Sequence, residues 1–236
     1  GHVNKKIPGD ASLFNYSDPE IVAEKTKQCV SDGYDYVKLH ETGLAEVAAA
    51  RETAGKDIGI MVDANCPWTI EEARRMALAF MNLDILWLEE PIFPPEDFRA
   101  LARLRHETGV AIATGENACT AFQFKQMIDT NAANYVQPSV TKVGGITEFQ
   151  KIATLAETSG VSLMPHAPYF GPGFLATLHL MAAIPNSGLA EWFYLEREAC
   201  LYGGAIAPEN GGFKVPDGPG LGIDPDPDVI KDYTVD

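Results

Sequence analysis

The sequence predicts an α/β fold, a closed TIM-type (β/α) barrel of parallel strands wrapped by helices, and three observations carry that reading. Short aliphatic runs alternate with amphipathic helical patterns along most of the 236 residues, which signals repeated βα units and a parallel sheet. Eight strand signals in a chain of this length favour closure into a barrel over an open doubly wound sheet. No GxGxxG occupies the first βα turn, so a dinucleotide-binding fold lacks its fingerprint.

Each element has a local reason. The extended stretch KIPGDASLF supplies the first strand. Ser17-Asp18-Pro19-Glu20 fits a capping box opening the first helix, the Ser17 hydroxyl and Glu20 satisfying free amide groups. Strands follow at YDYVKLH (34–40) and IGIMVDA (58–64). Thr69-Ile70-Glu71-Glu72 is a second capping box, after which Ala73, Met76, Ala77 and Phe80 share one helical face. LDILWLEE (83–90), VAIATGE (110–116) and ANYVQPS (133–139) read as the next three strands. A helix follows with Ile146, Phe149, Ala153 and Ala156 on one side, then strands VSLMPH (161–166) and GLAEWF (188–193). The barrel is expected to span 1–200, and a Pro/Gly-rich tail 201–236.

Composition narrows the function. A formal charge of −15 leaves no basic stripe to neutralise phosphates, which argues against nucleic-acid binding. No apolar run approaches the roughly 20 residues a membrane span needs. No signal peptide opens the chain, and Cys29, Cys66, Cys119 and Cys200 are widely spaced with no CxxC pair. A cytoplasmic protein with reduced thiols is expected.

The polar residues that end the strands carry the chemistry. In order they are Lys38, Asp63, Glu89, Glu116, Ser139, His166 and Glu191, with successive gaps of 25, 26, 27, 23, 27 and 25 residues. Each gap is about one βα unit, so each side chain ends a different consecutive strand, on the rim where barrel active sites are built. Alternation along a strand puts Glu89 on the face of Trp87 and turns Glu90 the other way. The same rule places Lys38 and His40 together and directs Val37 and Leu39 outward.

Three inward carboxylates on adjacent strands, Asp63, Glu89 and Glu116, would raise one another's pKa unless a cation neutralises them. An oxygen-only ligand set suits a hard ion, Mg²⁺ ahead of Mn²⁺ or Ca²⁺. Lys38, whose pKa a nearby cation would lower, and His40 flank these ligands on one side as candidate bases, and His166 stands on the other. Asn65 and Asn117, just beyond two of the ligands, are either supporting or substrate-contacting groups or turn residues. Cys66 and Trp68 are candidates to line the mouth. The arrangement suits abstraction of a proton next to a substrate carboxylate, with the cation stabilising the charge that develops.

At this point the chain resembles the enolase superfamily, in particular its mandelate racemase-like branch. VKLH is similar to the family's second-strand Lys-x-Lys, with Lys38 kept and His40 replacing the second lysine. VDAN, WLEEP and TGEN resemble the three metal-ligand strands in order, and QPSVTKVGG and MPH the sixth and seventh. The resemblance implies a modified (β/α)7β barrel, an enolase C-terminal-domain-like fold, with a bound Mg²⁺ and a small-molecule carboxylate substrate that Glu191 helps hold; Glu196 competes for that role. It also implies a capping domain absent from this chain, towards which the 201–236 tail returns, and a homo-oligomer, dimer or octamer.

Two positions depart from the family pattern. Where the racemase pattern has an Asp to orient the seventh-strand histidine, and the muconate-lactonizing pattern a lysine, this chain has Ser139; Lys142 lies three residues too late to replace it. His166 is then better suited to acid than to base chemistry. His40 leaves the division of labour with Lys38 open. The expected reaction is Mg²⁺-dependent α-proton abstraction leading to dehydration of a sugar acid or related hydroxy acid. Racemisation, epimerisation and lactone cycloisomerisation are the alternatives on the same scaffold, and a ligand-binding barrel without catalysis is the alternative of a different class. A phosphate- or flavin-binding barrel would need cations in the last two βα loops, and HAPYFGPGF offers only His166.

Overall fold

The computed structural model describes residue 4 and residues 6–235. Eight strands run parallel: β1 (Lys6–Ser12), β2 (Tyr36–Leu39), β3 (Gly59–Asp63), β4 (Trp87–Glu89), β5 (Ile112–Thr114), β6 (Tyr135–Val136), β7 (Ser162–Leu163) and β8 (Ala190–Phe193). Their order is β8-β1-β2-β3-β4-β5-β6-β7. The two ends meet at a parallel bridge between Leu163 and Ser187, beside a Gly188 N–H to Leu163 carbonyl bond of 2.9 Å. Seven helices connect them: α1 (Pro19–Ser31), α2 (Leu44–Ala54), α3 (Ile70–Met81), α4 (Phe98–Thr108), α5 (Ala121–Asp129), α6 (Ile146–Thr158) and α7 (Pro172–Ala183). The result is the (β/α)7β arrangement that the resemblance implies.

Alternation along the strands produces two apolar compartments. Ile7, Ala11, Val37, Leu39, Ile60, Val62, Leu88 and Ile112 face the helices and join the large outer core. Met61, Trp87, Ala113 and Leu189 face inward and plug the barrel, with Tyr135 and Met164 packed against them. Trp87 and Tyr135 rings lie 4.9 Å apart. On α3 the buried residues are Ala73, Ala77 and Phe80, and removing Phe80 from water contributes about 2–3 kcal/mol.

Two boundary findings differ from expectation. Thr69 and Glu72 form the reciprocal capping box foreseen, but α1 is capped by Asp18, whose side chain accepts from the Glu20 and Ile21 amides. Ser17 sits one residue too early, at φ +52°, and its hydroxyl bonds Asn15 instead. The strands of the second half are also shorter than the patterns suggested. Pro138 and Pro165 lack the N–H a ladder needs, so β6 and β7 end before them.

Helix α7 is buried nearly all round because the segment after residue 200 covers it. That segment forms a 3₁₀ turn (Gly203–Ile206), strand β9 (Gly212–Lys214) antiparallel to the start of β1, and helix α8 (Pro227–Tyr233). Phe213 of β9 packs on Phe174 and Trp192 at ring distances of 5.1 and 5.5 Å. Tyr202, Ile206 and Phe213 therefore belong to the same core as the barrel. No helix among the described residues is long and apolar enough to cross a membrane.

Candidate active site

The strand ends converge at one mouth. Asp63 and Glu89 are register partners on β3 and β4, and Glu116 follows Gly115 just beyond β5. Gly115 has φ +131°, and a Cβ there would lie 2.8 Å from Phe124 and 3.0 Å from the Gln137 amide, so only glycine makes this turn. One oxygen each from Asp63, Glu89 and Glu116 lies within 4.8 Å of the others. Burial and the neighbouring Asp63 charge push Glu89 well above the usual carboxylate range and Glu116 up to about 7. A carboxylate set so short of positive charge, with oxygen donors only, fits a hard divalent cation.

Glu90, next to Glu89 at the end of β4, has a separate role. It is as buried as Glu89 but points the other way, where it accepts from the Thr114 hydroxyl and the Gly115 amide, both at 2.9 Å, and from Cys66 at 3.4 Å. It fastens the loops behind the mouth and lies outside the convergent trio.

On the β2 flank, Lys38 Nζ lies 2.5 Å from Glu191, 3.0 Å from Glu89 and 3.6 Å from Asp63. Burial would lower its pKa, but Glu191, Glu89, Asp63 and Asp10 together hold it well above the ordinary lysine value. Lys38 itself serves here as the positive partner of Glu191, Glu89 and Asp63; the lowering expected beside a bound cation is a separate matter. His40 donates Nδ1–H to the Leu13 carbonyl at 2.5 Å, and its Nε2 stands 3.3 Å from Asp63. Burial lowers its pKa, yet the Asp63 contact outweighs that and the net shift is upward. Asp63 in turn is held below its usual range: burial raises it, and His40 and Lys38 more than offset this.

On the opposite flank, His166 Nε2 is 3.2 Å from Glu116, and burial pushes this imidazole down to about 4. Its Nδ1 meets the Tyr169 hydroxyl at 3.4 Å. Tyr169 also contacts the fully buried Ser139, whose Oγ lies 3.2 Å from Thr141 Oγ1. Glu191 accepts from Lys38, from Ser12 at 3.2 Å and from the Ala167 amide at 3.2 Å. Lys142 reaches Glu116 only at 3.9 Å.

Several positions fall differently from the sequence reading. Asn65 has an exposed side chain at φ +54°, and its backbone amide, not its side chain, does the positioning by donating to Asp63 at 3.0 Å. Asn117 is exposed on the rim and reaches Cys66 at 3.9 Å. Trp68 packs on Phe80 of α3, with ring centroids 6.3 Å apart. Glu196 is exposed and lines a groove of about 700 Å³ with Lys25, Tyr34 and Tyr194, away from the convergent acids. Two residues were missed. Asp10 is buried in the barrel, its Oδ2 has no hydrogen-bond partner, and burial raises it to about 8; alternation with Ser12 on β1 could have revealed it. Tyr169 lies in a loop, where no periodicity points inward.

Comparison with known proteins agrees with this geometry. A family model described as "Enolase C-terminal domain-like" matches residues 21–229. The chain is 34% identical over 206 residues to a D-galactarolactone cycloisomerase of Agrobacterium fabrum, covering 82% of this chain and 53% of that protein. It is 36% identical over 225 residues to an arabinonate dehydratase of Saccharolobus solfataricus, covering 92% and 60%. A crystal structure of a mandelate racemase/muconate lactonizing enzyme-like protein from Rubrobacter xylanophilus superposes with a TM-score of 0.91 at 28% identity, covering 99% of this chain and 70% of that one. The chain thus spans little more than half the length of these two curated relatives. Matching in sequence over most of its residues and in fold over nearly all of them, the chain belongs to the enolase superfamily, in its mandelate racemase-like branch.

Proposed function

We propose that this mouth abstracts the proton α to the carboxylate of a sugar acid or related hydroxy acid, most simply in a dehydration. The observation that carries the reading is the convergence of Asp63, Glu89 and Glu116 to within 4.8 Å, with Lys38 and His40 on one side and His166 on the other. Asp63, Glu89 and Glu116 would hold Mg²⁺, or Mn²⁺ in its place. Such an ion, when bound, supplies electrophilic stabilisation for the negative charge that develops on the substrate carboxylate.

The remaining chemistry belongs to the chain. Lys38 or His40 removes the α-proton, once substrate and a bound cation offset the carboxylate charge that raises the pKa of both groups. His166 stands across the mouth to act on a substrate oxygen. Glu191 holds Lys38 in place and borders the space for the substrate carboxylate. Phe193, stacked on Phe14 at 5.3 Å and 6.1 Å from the His40 ring, walls the mouth beside that base.

Lactone cycloisomerisation is the second reading, supported by the similarity to a D-galactarolactone cycloisomerase and needing no second carboxylate-supported base. A capping domain over the mouth, a homo-oligomeric assembly and a cytoplasmic location complete the proposal. The test is to incubate the chain with Mg²⁺ and a panel of acid sugars and their lactones in D₂O. Deuterium entering next to the carboxylate, or a 2-keto product, is expected. Neither signal across the panel would overturn the assignment.

A further inference from the structure

The rim of the mouth is divided by chemistry. Alternation along β8 carries Phe193 to the inward face of Glu191, and along β1 it carries Phe14 to the inward face of Ser12. Ser12 and Phe193 are register partners. Their strands therefore bring the Phe14 and Phe193 rings together just beyond the Ser12–Glu191 hydrogen bond, stacked at 5.3 Å and 16° from parallel. Phe170, in the loop between β7 and α7, continues the row 6.4 Å from Phe193. His40 lies beside this wall, its ring 6.1 Å from that of Phe193. Phe170 is held in place by Trp192, edge-on at 5.5 Å, and by the Arg197 guanidinium, 3.9 Å from the ring centre. Nη1 of Arg197 is buried without a hydrogen-bond partner, and the faces of Phe170 and Trp192 take the place of one.

The other side of the mouth is polar. Asn65 follows Asp63 by two residues, Asn117 follows Glu116 directly, and Lys142 reaches Glu116 at 3.9 Å; all three residues are exposed. Phe93, the exposed ring after β4, lines a separate groove with Arg99 and Arg103 of α4.

We propose that the wall of Phe14, Phe193 and Phe170 makes this mouth selective for ring-form sugar acids over open-chain ones, which rests on the reaction proposed above and names its substrate class. The face of a phenyl ring is the negative side of its quadrupole, so it attracts C–H hydrogens and offers a hydroxyl oxygen no donor. A furanose or pyranose acid can set a C–H face on the wall while its hydroxyls turn to Asn65, Asn117 and Lys142. An open-chain polyhydroxy acid carries hydroxyls on every side, so some are pressed against the rings and lose water without a replacement. It also loses torsional freedom on binding that a ring has already given up. Both effects favour the ring, and neither depends on a protonation state.

The experiment is titration calorimetry of the chain in the presence of Mg²⁺ with two sets of probes of equal charge. One set is methyl glycosides of hexuronates, locked as pyranose rings; the other is hexonates, which are open chains. The ring acids should bind about 10- to 100-fold more tightly. Phe193→Ala and Phe14→Ala should each reduce that ratio by about 3- to 10-fold, with retained Mg²⁺ binding as the check that the barrel is intact. Equal affinities, or tighter binding of the hexonates, overturn the proposal whether or not the variants fold. A ratio that neither substitution moves does so too, as does absence of binding by every ring acid. Affinity is read without turnover. A ring preference with no α-deuterium uptake would therefore overturn the proposed reaction alone, and uptake from ring and open-chain acids bound equally well would overturn the selectivity alone.

Discussion

On the β2 flank of the mouth, Lys38 and His40 meet the acids directly, each within 3.6 Å of Asp63, and the acids raise the pKa of both. On the β7 flank, His166 is driven towards its neutral form by burial and is tied behind to hydroxyls, Tyr169 and then Ser139. Both flanks carry histidine at similar depth, yet their partners differ: a carboxylate and a backbone carbonyl for His40, a carboxylate and a phenol for His166. The behaviour of each histidine is set less by its identity than by what occupies its second nitrogen. A carbonyl forces a proton onto His40 Nδ1, whereas a hydroxyl can supply one to His166.

Breaking the charged flank should have the largest effect. Lys38→Met leaves Asp63, Glu89 and Glu191 without their shared cation, and α-deuterium uptake should fall about 100- to 10,000-fold. Loss of one partner of a buried ion cluster should also cost about 3–5 kcal/mol, measured by urea unfolding. Added Mg²⁺ should recover part of that stability, because the acids lack positive charge and not shape. Uptake that survives the substitution would remove Lys38 from the reaction.

Disturbing the neutral flank should matter less. Tyr169→Phe keeps the ring and deletes the hydroxyl behind His166, so turnover should fall about 10- to 100-fold, the usual effect of losing a group that orients an imidazole. The fall should appear in kcat with KM little changed; an effect confined to KM would point to substrate contact by Tyr169 itself.

Asp10, on the first strand beside the charged flank, adds a pH dependence of stability. Burial raises this carboxyl to about 8, while Lys38 pulls it down. A group with a raised folded pKa binds more protons folded than unfolded, so its contribution is complete below about pH 4 and is lost as pH climbs towards 8. Asp10→Asn should therefore flatten the decline of unfolding free energy between pH 4 and 8, by up to about 1.4 kcal/mol per pH unit. An unchanged slope would mean that Asp10 titrates normally.

Much of this was legible because a parallel barrel writes its rim at regular intervals. Asp63, Glu89 and Glu116 could be found by spacing alone; Asp63 and Glu89 share the inward face of Met61 and Trp87, whereas Glu116 is out of step with inward Ala113 and enters the mouth through the turn at Gly115. Residues whose placement depends on loops or on one-residue shifts were not. Tyr169 enters the site through a turn, and Asn65 contributes its backbone, which no side-chain pattern reports. Ser17 and Asp18 are both good caps, and only the φ of +52° at Ser17 decides between them. Lys38 lies between outward Val37 and Leu39, as alternation requires, but its raised pKa depends on Asp10 and Glu191 converging from the first and last strands.

Asp63, Glu89 and Glu116 should act together as one cation site, which titration calorimetry of the chain with Mg²⁺ can decide. The prediction is one ion per chain, a thermal stabilisation of about 2.7 kcal/mol when Mg²⁺ reaches about a hundred times its Kd, and loss of both in Glu89→Gln. Absence of binding, or binding that Glu89→Gln leaves intact, would contradict it.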